Sequence, residues 1–380
     1  MRMTQHPSLS RRAVLSGLGA AGALAMLTAC NNPTKTALAS RVLTSNGRWM
    51  MPDEAHHHER TWMCWPSSGA IWGPDLGEVQ TSIARIAHAV MEREPLSILT
   101  RPSEVVAVTK LLGNGVTIHP APVDDLWARD TLPLFVTTPS GANPLAASRV
   151  RFNGWGKKQT HDGDRKLCAL VAELLDIALI DVGLTGEGGG LENDGAGTLM
   201  ANRSSWVNEN RNPGWSETRI ERALLELTGA KRMFWADGVK GQDITDDHID
   251  ASARFTSPAS LITQIPPIGE VGIWAEAAAD LRAMVDSRQT LAGARYRVDA
   301  ITDPVSPRGR GSTFLTSYVN YYVCNGAVIM PEFGDSATDS RAKGILEDHY
   351  PGRDIVQLNI DGVAAGGGGI HCATQQQPVA

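Results

Sequence analysis

A glycine-rich segment near the C-terminus carries the cysteine best suited to act as a nucleophile. Residues 366–369 are four consecutive glycines, and Ile370, His371 and Cys372 follow them. Consecutive glycines cost backbone entropy and bury no side chain, so they are expected where the chain takes unusual backbone angles or approaches another group closely. This loop is therefore expected to leave the sulfur of Cys372 reachable by a small substrate. The alternative is a glycine-rich tail with an inert thiol.

Two further segments supply candidate acids for a cationic substrate. The segment DDLWARD, residues 124–130, places acids on both sides of a tryptophan and an arginine. A carboxylate binds a guanidinium through two parallel hydrogen bonds, so Asp130 is a candidate for holding one. A surface ion pair between Arg129 and Asp130 is the alternative. Glu187 lies among glycines at 186–190, which indicates either a backbone shaped around a site or a plain turn.

The segment TDDHID, residues 245–250, is the strongest local cluster. In an extended segment His248 and Asp250 point to the same face, because side chains alternate with period two. A histidine beside a carboxylate suits proton transfer combined with cation binding. A metal site is the alternative, since the histidines at 56–58 offer further imidazoles, but no Cys or His spacing completes a ligand set. The sequence therefore predicts chemistry without a metal or cofactor.

Composition indicates a globular protein, and its net charge suits a small cationic substrate. The chain has 380 residues, 42% of them hydrophobic and 20% charged, which is enough for one large domain or two ordinary ones. The formal net charge of −6 gives no footprint for nucleic acid and suits a cationic substrate.

The N-terminus has the pattern of an exported lipoprotein. Ser10, Arg11 and Arg12 form a twin-arginine signature, and a short apolar run ends in Leu-Thr-Ala-Cys, which resembles a lipobox with Cys30 as the lipidated residue. A transmembrane anchor is the alternative. We expect a signal peptide at 1–29, a lipidated tether at 30–46 and a catalytic domain at 47–380. The protein would then be membrane-anchored and face the periplasm or the cell exterior.

Export places the remaining cysteines in an oxidising compartment. A nucleophile must stay free, so Cys64, Cys168 and Cys324 allow at most one disulfide, and nothing in their spacing predicts one. Cys168 has the position of a residue on the core face of a helix.

The elements that must position these residues repeat along the chain. Five amphipathic helical stretches are each followed by a short β-type run. Five such units allow a doubly wound sheet, an incomplete (β/α) barrel or a circular array of ββαβ blades. A closed array or barrel brings loops from separate units to one point most readily. The predicted helices lie near 83–90, 167–175, 216–229, 274–287 and 338–348, and the predicted strands at 96–100, 177–180, 232–236, 296–301 and 354–358.

Together the motifs resemble the family of agmatine deiminases and bacterial (Porphyromonas-type) peptidylarginine deiminases. They cover residues 51–378 in the order that the family has them. They include the opening MPDE and HERTWMCWP segments, WARD at 127–130, NGWG at 153–156, EGG at 187–189, NENRNP at 208–213, HID at 248–250, ARF at 253–255, SYVN at 317–320, FGD at 333–335 and the closing GGGxIHCxTQQ.

The resemblance implies the pentein fold, a five-bladed α/β propeller of ββαβ units around a central active site. It implies that Cys372 is the nucleophile and His248 the general acid/base. Asp130 and Asp250 would bind the guanidinium, Glu187 would contact the substrate and assist His248, and Trp127 would cover the methylenes of the substrate. The cation and the imidazolium are then expected to lower the pKa of the thiol.

This sequence departs from the family pattern at three positions. Leu132 and Asp247 stand where the family usually has glycine, and Gly369 stands where asparagine is usual. None of the three changes removes a reactive group. Asp247 adds a carboxylate beside His248, and Gly369 removes a polar side chain near Cys372.

The sequence therefore predicts a hydrolase that deiminates a guanidinium compound through a covalent thiouronium intermediate on the cysteine. Agmatine, converted to N-carbamoylputrescine and ammonia, is the first candidate substrate, and arginine in peptides or proteins is the second. A catalytically silent lipoprotein that binds guanidines is a third possibility from a different class. The other expected partner is the membrane, through Cys30, and a homo-oligomer is possible.

Overall fold

The computed structural model describes residues 49–139, 144–309 and 311–380, together with the backbone of the short strand Val42–Leu43. The expected signal peptide at 1–29 and the expected lipidation site Cys30 lie outside the described residues, as does most of the tether at 30–46.

Five small sheets make up the described part of the chain. In each sheet an antiparallel pair of strands is followed by a helix and then by a strand parallel to the middle one, so every sheet is a ββαβ blade. The first blade takes its inner strand from the C-terminus and carries one extra strand on its outer edge. This is the five-bladed propeller that the family resemblance implied, and it decides among the three architectures that the sequence pattern left open.

Within each blade the strands follow one another from the inner to the outer edge. The first blade contains Thr374–Pro378, His58–Cys64, Leu96–Thr100 and Val116–Pro120; the second contains Leu134–Thr137, Leu145–Arg151, Ala178–Thr185 and Val42–Leu43; the third contains Glu192–Asn193, Thr198–Asn202 and Arg232–Ala236; the fourth contains Ala253–Ser257, Ser260–Ile265 and Arg297–Thr302; the fifth contains Tyr322–Cys324, Ala327–Glu332 and Asp354–Asn359.

One long or medium helix belongs to each blade, and an extra helix precedes the outermost strand of the first. In chain order these are Leu76–Met91, Val105–Leu112, Leu167–Leu174, Glu217–Thr228, Ile273–Asp286 and Ser336–His349. Short α-helices lie at Gly69–Trp72, Ala128–Thr131, Gly154–Lys157, Arg203–Trp206 and Asp361–Ala365. Single 3₁₀ turns lie at Gly73–Asp75, Pro102–Glu104, Asp164–Lys166, Gly188–Gly190 and Ile249–Ala251.

The five predicted helix–strand units are confirmed. The helix Glu217–Thr228 shows why the pattern could be read: the Ser216 side chain accepts a hydrogen bond from the backbone N–H of Arg219, which caps the first turn. Ile220 and Leu224, one turn apart, are fully buried on its inner face. Gly229 ends the helix with a left-handed φ of 72°.

Pairing between the two ends of the domain closes the ring. The C-terminal strand Thr374–Pro378 lies antiparallel to His58–Cys64, so the last and first segments share one blade. The first and fifth blades also contact each other through the hydroxyls of Thr61 and Tyr322, 2.8 Å apart. The largest apolar cluster lies between these two blades and includes the buried side chains of Met63 and Ile329.

This arrangement positions the reactive segments. The helix Ala128–Thr131 precedes the inner strand of the second blade, and the turn Gly188–Gly190 precedes that of the third. Likewise the turn Ile249–Ala251 precedes the inner strand of the fourth blade, and Cys372 precedes that of the first. Chain segments that enter the inner strands therefore meet at one end of the propeller. No helix within the described residues is long and apolar enough to cross a membrane.

Candidate active site

Asp130 is held at the pocket by two donors from separate segments. Its Oδ1 accepts a hydrogen bond of 2.9 Å from the backbone N–H of Gly189, and its Oδ2 accepts one of 2.9 Å from the indole N–H of Trp155. Burial raises the pKa of Asp130; nearby Glu187 and Asp250 also raise it, and His248 opposes them. Each carboxylate oxygen keeps a second lone pair, so the group can still accept hydrogen bonds from a guanidinium. The surface-pair alternative is wrong, because Asp130 is only 5% exposed.

Glu187 contacts the histidine and an arginine deep in the protein. Its Oε2 lies 3.3 Å from Nε2 of His248, and its Oε1 accepts a 3.0 Å hydrogen bond from Nε of Arg211. Burial raises the pKa of Glu187, but Arg211 and His248 outweigh it and leave the pKa below its usual value. Glu187 is therefore an ionised partner of His248. The residues that line the pocket do not include it.

His248 lies among three carboxylates that favour its protonated form. Burial lowers the pKa of His248, but Asp130, then Glu187 and Asp250 raise it to about 9 overall. An imidazolium that is protonated near neutral pH can donate a proton to a leaving group.

The local backbone around His248 differs from the extended segment that the sequence predicted. His248 itself is extended, but it caps the 3₁₀ turn Ile249–Ala251, which contains Asp250. Asp246 and Asp247 before it have positive φ angles of 62° and 68°. His248 and Asp250 nevertheless line the same pocket, because the turn brings them together in place of strand alternation.

Asp250 has one oxygen occupied and one without a partner. Its Oδ2 accepts a 2.7 Å hydrogen bond from Nδ1 of His371, whereas Oδ1 is buried and finds no hydrogen-bond partner among the described residues. Burial raises the pKa of Asp250, but His371, His248 and Arg254 outweigh it and lower the pKa. A buried, ionised carboxylate with an unsatisfied oxygen in a pocket is suited to accept hydrogen bonds from a cationic ligand.

Cys372 lies in the same pocket and is held by Asn320. The side-chain amide nitrogen of Asn320 lies 3.2 Å from Sγ of Cys372. The side-chain amide oxygen of Asn320 accepts a 3.3 Å hydrogen bond from the backbone N–H of Cys372. Sγ also lies 3.7 Å from Oδ2 of Asp250. The thiol is partly exposed and lines the pocket, so a small substrate can reach it and the segment is not a detached tail.

The pKa of this thiol moves opposite to our expectation when protein groups alone are considered. Burial raises the pKa of Cys372, and the negative charges of Asp250 and Asp130 raise it further, to well above its usual value. The two acids that suit a guanidinium thus disfavour the thiolate. A cation bound between them would reverse this effect.

Aromatic side chains form one wall of the pocket. Trp127 and Trp155 line it and meet edge to face, with ring centroids 6.5 Å apart. A Cβ added to Gly368 would lie 2.2 Å from the Trp127 ring, so this glycine lets the nucleophile loop lie against the indole. The cavity volume of the pocket is about 60 Å³. It is lined by Trp127, Asp130, Trp155, Gln159, Asp243, Ile244, Thr245, His248, Asp250, Ala251, Leu315, residues 366–368 and Cys372.

The three departures from the family pattern have separate structural settings. Leu132 is buried in an apolar cluster and is not among the residues that line the pocket. Asp247 adopts a left-handed conformation, which Asp tolerates better than most residues, and its Oδ2 accepts a hydrogen bond from the Val239 backbone. Burial raises the pKa of Asp247 to about 7, so it is partly neutral near neutral pH. A Cβ on Gly369 would lie 2.4 Å from the Asn320 carbonyl oxygen.

Four residues of this site were assigned no role from the sequence. Asn320 holds Cys372, Arg211 holds Glu187, Trp155 holds Asp130 and His371 holds Asp250. All four lie within the quoted motifs, which was the available signal. Their roles depend on contacts between distant segments, which spacing along one chain does not encode.

The structure also bears on the metal and disulfide alternatives. Within the described ranges, no group of three or more His, Cys, Asp or Glu side chains has an arrangement that could hold a metal ion. Cys64, Cys168, Cys324 and Cys372 are all free thiols, and the first three are buried.

Comparisons with known proteins agree with the fold and with the family that the motifs indicate. The sequence model of the Porphyromonas-type peptidyl-arginine deiminase family matches residues 50–378. A Streptomyces coelicolor protein provisionally named agmatine deiminase is 33% identical over 343 residues, which covers 86% of this chain and 98% of that protein.

Solved structures share the fold over nearly their whole length. The agmatine deiminase of Enterococcus faecalis superposes with a TM-score of 0.84 at 24% identity, covering 90% of this chain and 99% of that one. A Porphyromonas gingivalis protein provisionally named arginine deiminase superposes with a TM-score of 0.78 at 26% identity, covering 87% and 98%. With a family match that spans most of its length, the chain belongs to the Porphyromonas-type peptidyl-arginine deiminase family.

Proposed function

We propose that the protein hydrolyses a guanidinium compound to a ureido compound and ammonia, with agmatine as the main substrate. The observation that carries this proposal is the meeting of Asp130, Asp250 and Cys372 in one pocket, with an unpartnered carboxylate oxygen on Asp250. The two buried carboxylates favour binding of a cation, and the thiol that lines the same pocket supplies the nucleophile.

The acids bind and orient the substrate. Asp250 offers its free Oδ1, and Asp130 offers the remaining lone pairs of a carboxylate fixed by Gly189 and Trp155. Charge-assisted hydrogen bonds to a planar guanidinium fix its plane as well as its position. The central carbon is then held in line with the sulfur of Cys372.

The bound cation also activates the thiol. Because Asp250 and Asp130 raise the pKa of Cys372, a guanidinium that offsets their charges lowers it again. The thiol loses its proton to solvent, and the resulting thiolate attacks the guanidinium carbon and gives a tetrahedral adduct. His248, protonated near neutral pH, donates a proton to the departing nitrogen. Ammonia is released, and a thiouronium remains covalently bound to Cys372.

Hydrolysis follows with the histidine in the opposite role. His248 takes a proton from water, which attacks the thiouronium carbon and releases the ureido product and the free thiol. Glu187 stabilises the imidazolium at 3.3 Å, and Arg211 keeps Glu187 ionised and oriented. No step requires a cofactor.

The pocket wall supports agmatine over arginine. Trp127 can cover the methylene chain, and the exposed Asp243 provides a carboxylate for the terminal ammonium. Arginine in peptides is the competing substrate, because the matching family is named for it.

One assay separates these activities. Ammonia and ureido product should be measured from agmatine, free arginine and arginyl peptides, side by side and at equal concentrations. We expect the highest kcat/KM with agmatine. Preference for the peptides would establish the competing substrate, and absence of turnover with all three would leave only guanidine binding.

We further propose that the protein is exported by the twin-arginine route and anchored by lipid at Cys30. The support is the Ser10-Arg11-Arg12 start, the short apolar run and the Leu-Thr-Ala-Cys end. The substrate would then be met outside the cytoplasm.

A further inference from the structure

His371, next to the nucleophile, lies between two carboxylates. Its Nδ1 is 2.7 Å from Oδ2 of Asp250, and its Nε2 is 2.8 Å from Oε2 of Glu54. The imidazole side chain is only 2% exposed, so neither contact is loosened by water. A neutral imidazole has one N–H donor, whereas the imidazolium has two.

Both carboxylates are held in the ionised form. Burial raises the pKa of Glu54, but Arg254, His371 and Arg129 outweigh it and place the pKa well below its usual value. The pKa of Asp250 is lowered in the same way. Apart from His371, the charges of Arg254 and Arg129 favour ionised Glu54, and those of His248 and Arg254 favour ionised Asp250. Ionised carboxylates only accept hydrogen bonds, so both short contacts are satisfied when each nitrogen of His371 donates one.

The surrounding charges are compatible with a cation at this position. Glu54 also accepts hydrogen bonds from Nη2 of Arg254 at 2.8 Å and from the Val323 backbone at 2.8 Å. Nη2 of Arg129 lies 3.4 Å from Glu54. On its other side, Arg254 pairs with Glu192 at 2.6 Å.

The cluster therefore contains three carboxylates, on Glu54, Asp250 and Glu192. Their possible cationic partners are the two arginines, Arg129 and Arg254, and His371. A positive His371 balances the cluster if all three carboxylates are ionised. Burial raises the pKa of Glu192, but Arg254 opposes this effect. His248 also lowers the pKa of Asp250, but it belongs to the catalytic set and has its own partner in Glu187.

We propose that His371 is a positioning residue, held as an imidazolium between Glu54 and Asp250, which fixes Oδ2 of Asp250 and reserves Oδ1 for the substrate guanidinium. Oδ2 of Asp250 then binds His371, and Oδ1 remains available to bind the substrate. His371 also offsets part of the Asp250 charge, which lies 3.7 Å from the sulfur of Cys372.

This inference rests on the proposed deiminase function, and paired substitutions test it. His371→Asn keeps a short amide near the position of Nδ1 and can still donate to Asp250. His371→Gln reaches further, towards Glu54, and loses the Asp250 contact. Both variants remove the positive charge.

We expect three results from steady-state kinetics with agmatine across pH. His371→Gln should lose about 10- to 100-fold in kcat/KM, mainly through KM, because the guanidinium acceptor is misplaced. His371→Asn should recover a substantial part of this loss. In both variants the acid limb of kcat/KM should move to higher pH by about one to three units, because the cation that keeps Asp250 ionised is gone.

Nitrogen-15 spectra of histidine-labelled enzyme test the protonation state without reference to turnover. At neutral pH the wild type should show two ring N–H protons on His371 in addition to those of the protonated His248, and the His371 signals alone should vanish in both His371 variants. A single ring N–H on His371 would overturn the imidazolium. This measurement keeps its meaning even if the substrate assignment fails.

His349→Gln is the matched control. The side chain of His349 is only 1% exposed and contacts Asp299 at 2.7 Å and Thr256 at 2.8 Å, and none of these residues lines the pocket. The His349→Gln variant should be less stable than the wild type, and the acid limb of its kcat/KM profile should stay in place. If the His371 variants only lower the melting temperature, with an unchanged pH profile and KM, then His371 is a structural residue and the proposal is wrong.

Discussion

Oε2 of Glu187 lies 3.3 Å from Nε2 of His248, inside the protein and behind the pocket surface. This contact connects the catalytic imidazole to Arg211, which holds the other oxygen of Glu187 at 3.0 Å. The pair of Glu187 and Arg211 therefore orients His248 and, together with Asp130 and Asp250, favours its protonated form. Substitution of Glu187, which does not line the pocket, should therefore shift the pH dependence of kcat.

Glu187→Gln should move the alkaline limb of kcat to lower pH. His248 must be protonated to release ammonia, and its pKa of about 9 depends in part on the Glu187 charge. Without that charge the imidazolium loses its proton at a lower pH, so activity declines earlier on the alkaline side. The pH profile of single-turnover ammonia release measures the shift.

Glu94→Gln is the matched control for this prediction. Glu94 forms a similar buried pair with His58, with Nδ1 and Oε1 3.0 Å apart, but neither residue lines the pocket. We expect it to lower stability and leave the alkaline limb in place. Equal shifts in the two variants would mean that the limb does not report on His248.

Cys372→Ser should abolish turnover and retain binding of agmatine. A serine hydroxyl is far less acidic than a thiol, and His248 is committed as the acid, so no strong nucleophile forms. Asp130 and Asp250 remain to hold the cation. Calorimetry should therefore show binding, whereas intact-mass measurement should show no adduct. Substantial residual turnover would require a mechanism built around a directly activated water.

Asp130→Asn should weaken binding and slow the reaction together. The amide keeps the shape of the side chain and can still accept from Gly189, but it loses the negative charge and one acceptor. The pKa of the thiol should fall at the same time, since Asp130 is one of the charges that raise it. Iodoacetamide labelling of Cys372 against pH measures that change. An unaltered KM would remove Asp130 from substrate binding.

Local patterns in the sequence were enough to predict the units of the fold. The helix Ser336–His349 and the strand Asp354–Asn359 follow from spacing and capping signals that lie within a few residues of each other. The order of the blades did not follow from such signals. Closure depends on Thr374–Pro378 pairing with His58–Cys64, more than three hundred positions away. The family resemblance implied the propeller, but this pairing came from the structure.

The same distinction applies to the site. Motif types predicted Cys372, His248 and the acids, because their chemistry can be recognised one residue at a time. The roles of Asn320 and His371 arise from contacts across the ring, so they required coordinates. The raised pKa of Cys372 also came from the structure, since it depends on burial and on two acids from other segments.

The proposed lipid anchor is tested by mass spectrometry of protein extracted from membranes. The N-terminal peptide should begin at Cys30 and carry a diacylglyceryl group. Cys30→Ala should remove the adduct and release the protein from the membrane fraction. A soluble species cleaved at another position, or an intact N-terminus, would contradict the anchor.

Gly369→Ala tests whether the space beside Asn320 is needed for catalysis. The added methyl would lie 2.4 Å from the Asn320 carbonyl oxygen and 2.9 Å from its Cβ, so Asn320 must move. Asn320 positions both the sulfur and the backbone N–H of Cys372, and a displacement there should reduce kcat about 10- to 100-fold. Gly344→Ala, in the helix Ser336–His349 with open space around it, is the control and should be neutral or slightly stabilising. Because the acids are untouched in Gly369→Ala, the Kd for agmatine measured in the Cys372→Ser background should change little. A large loss of binding with unchanged kcat would show instead that this loop serves the substrate and that Asn320 does not position the nucleophile.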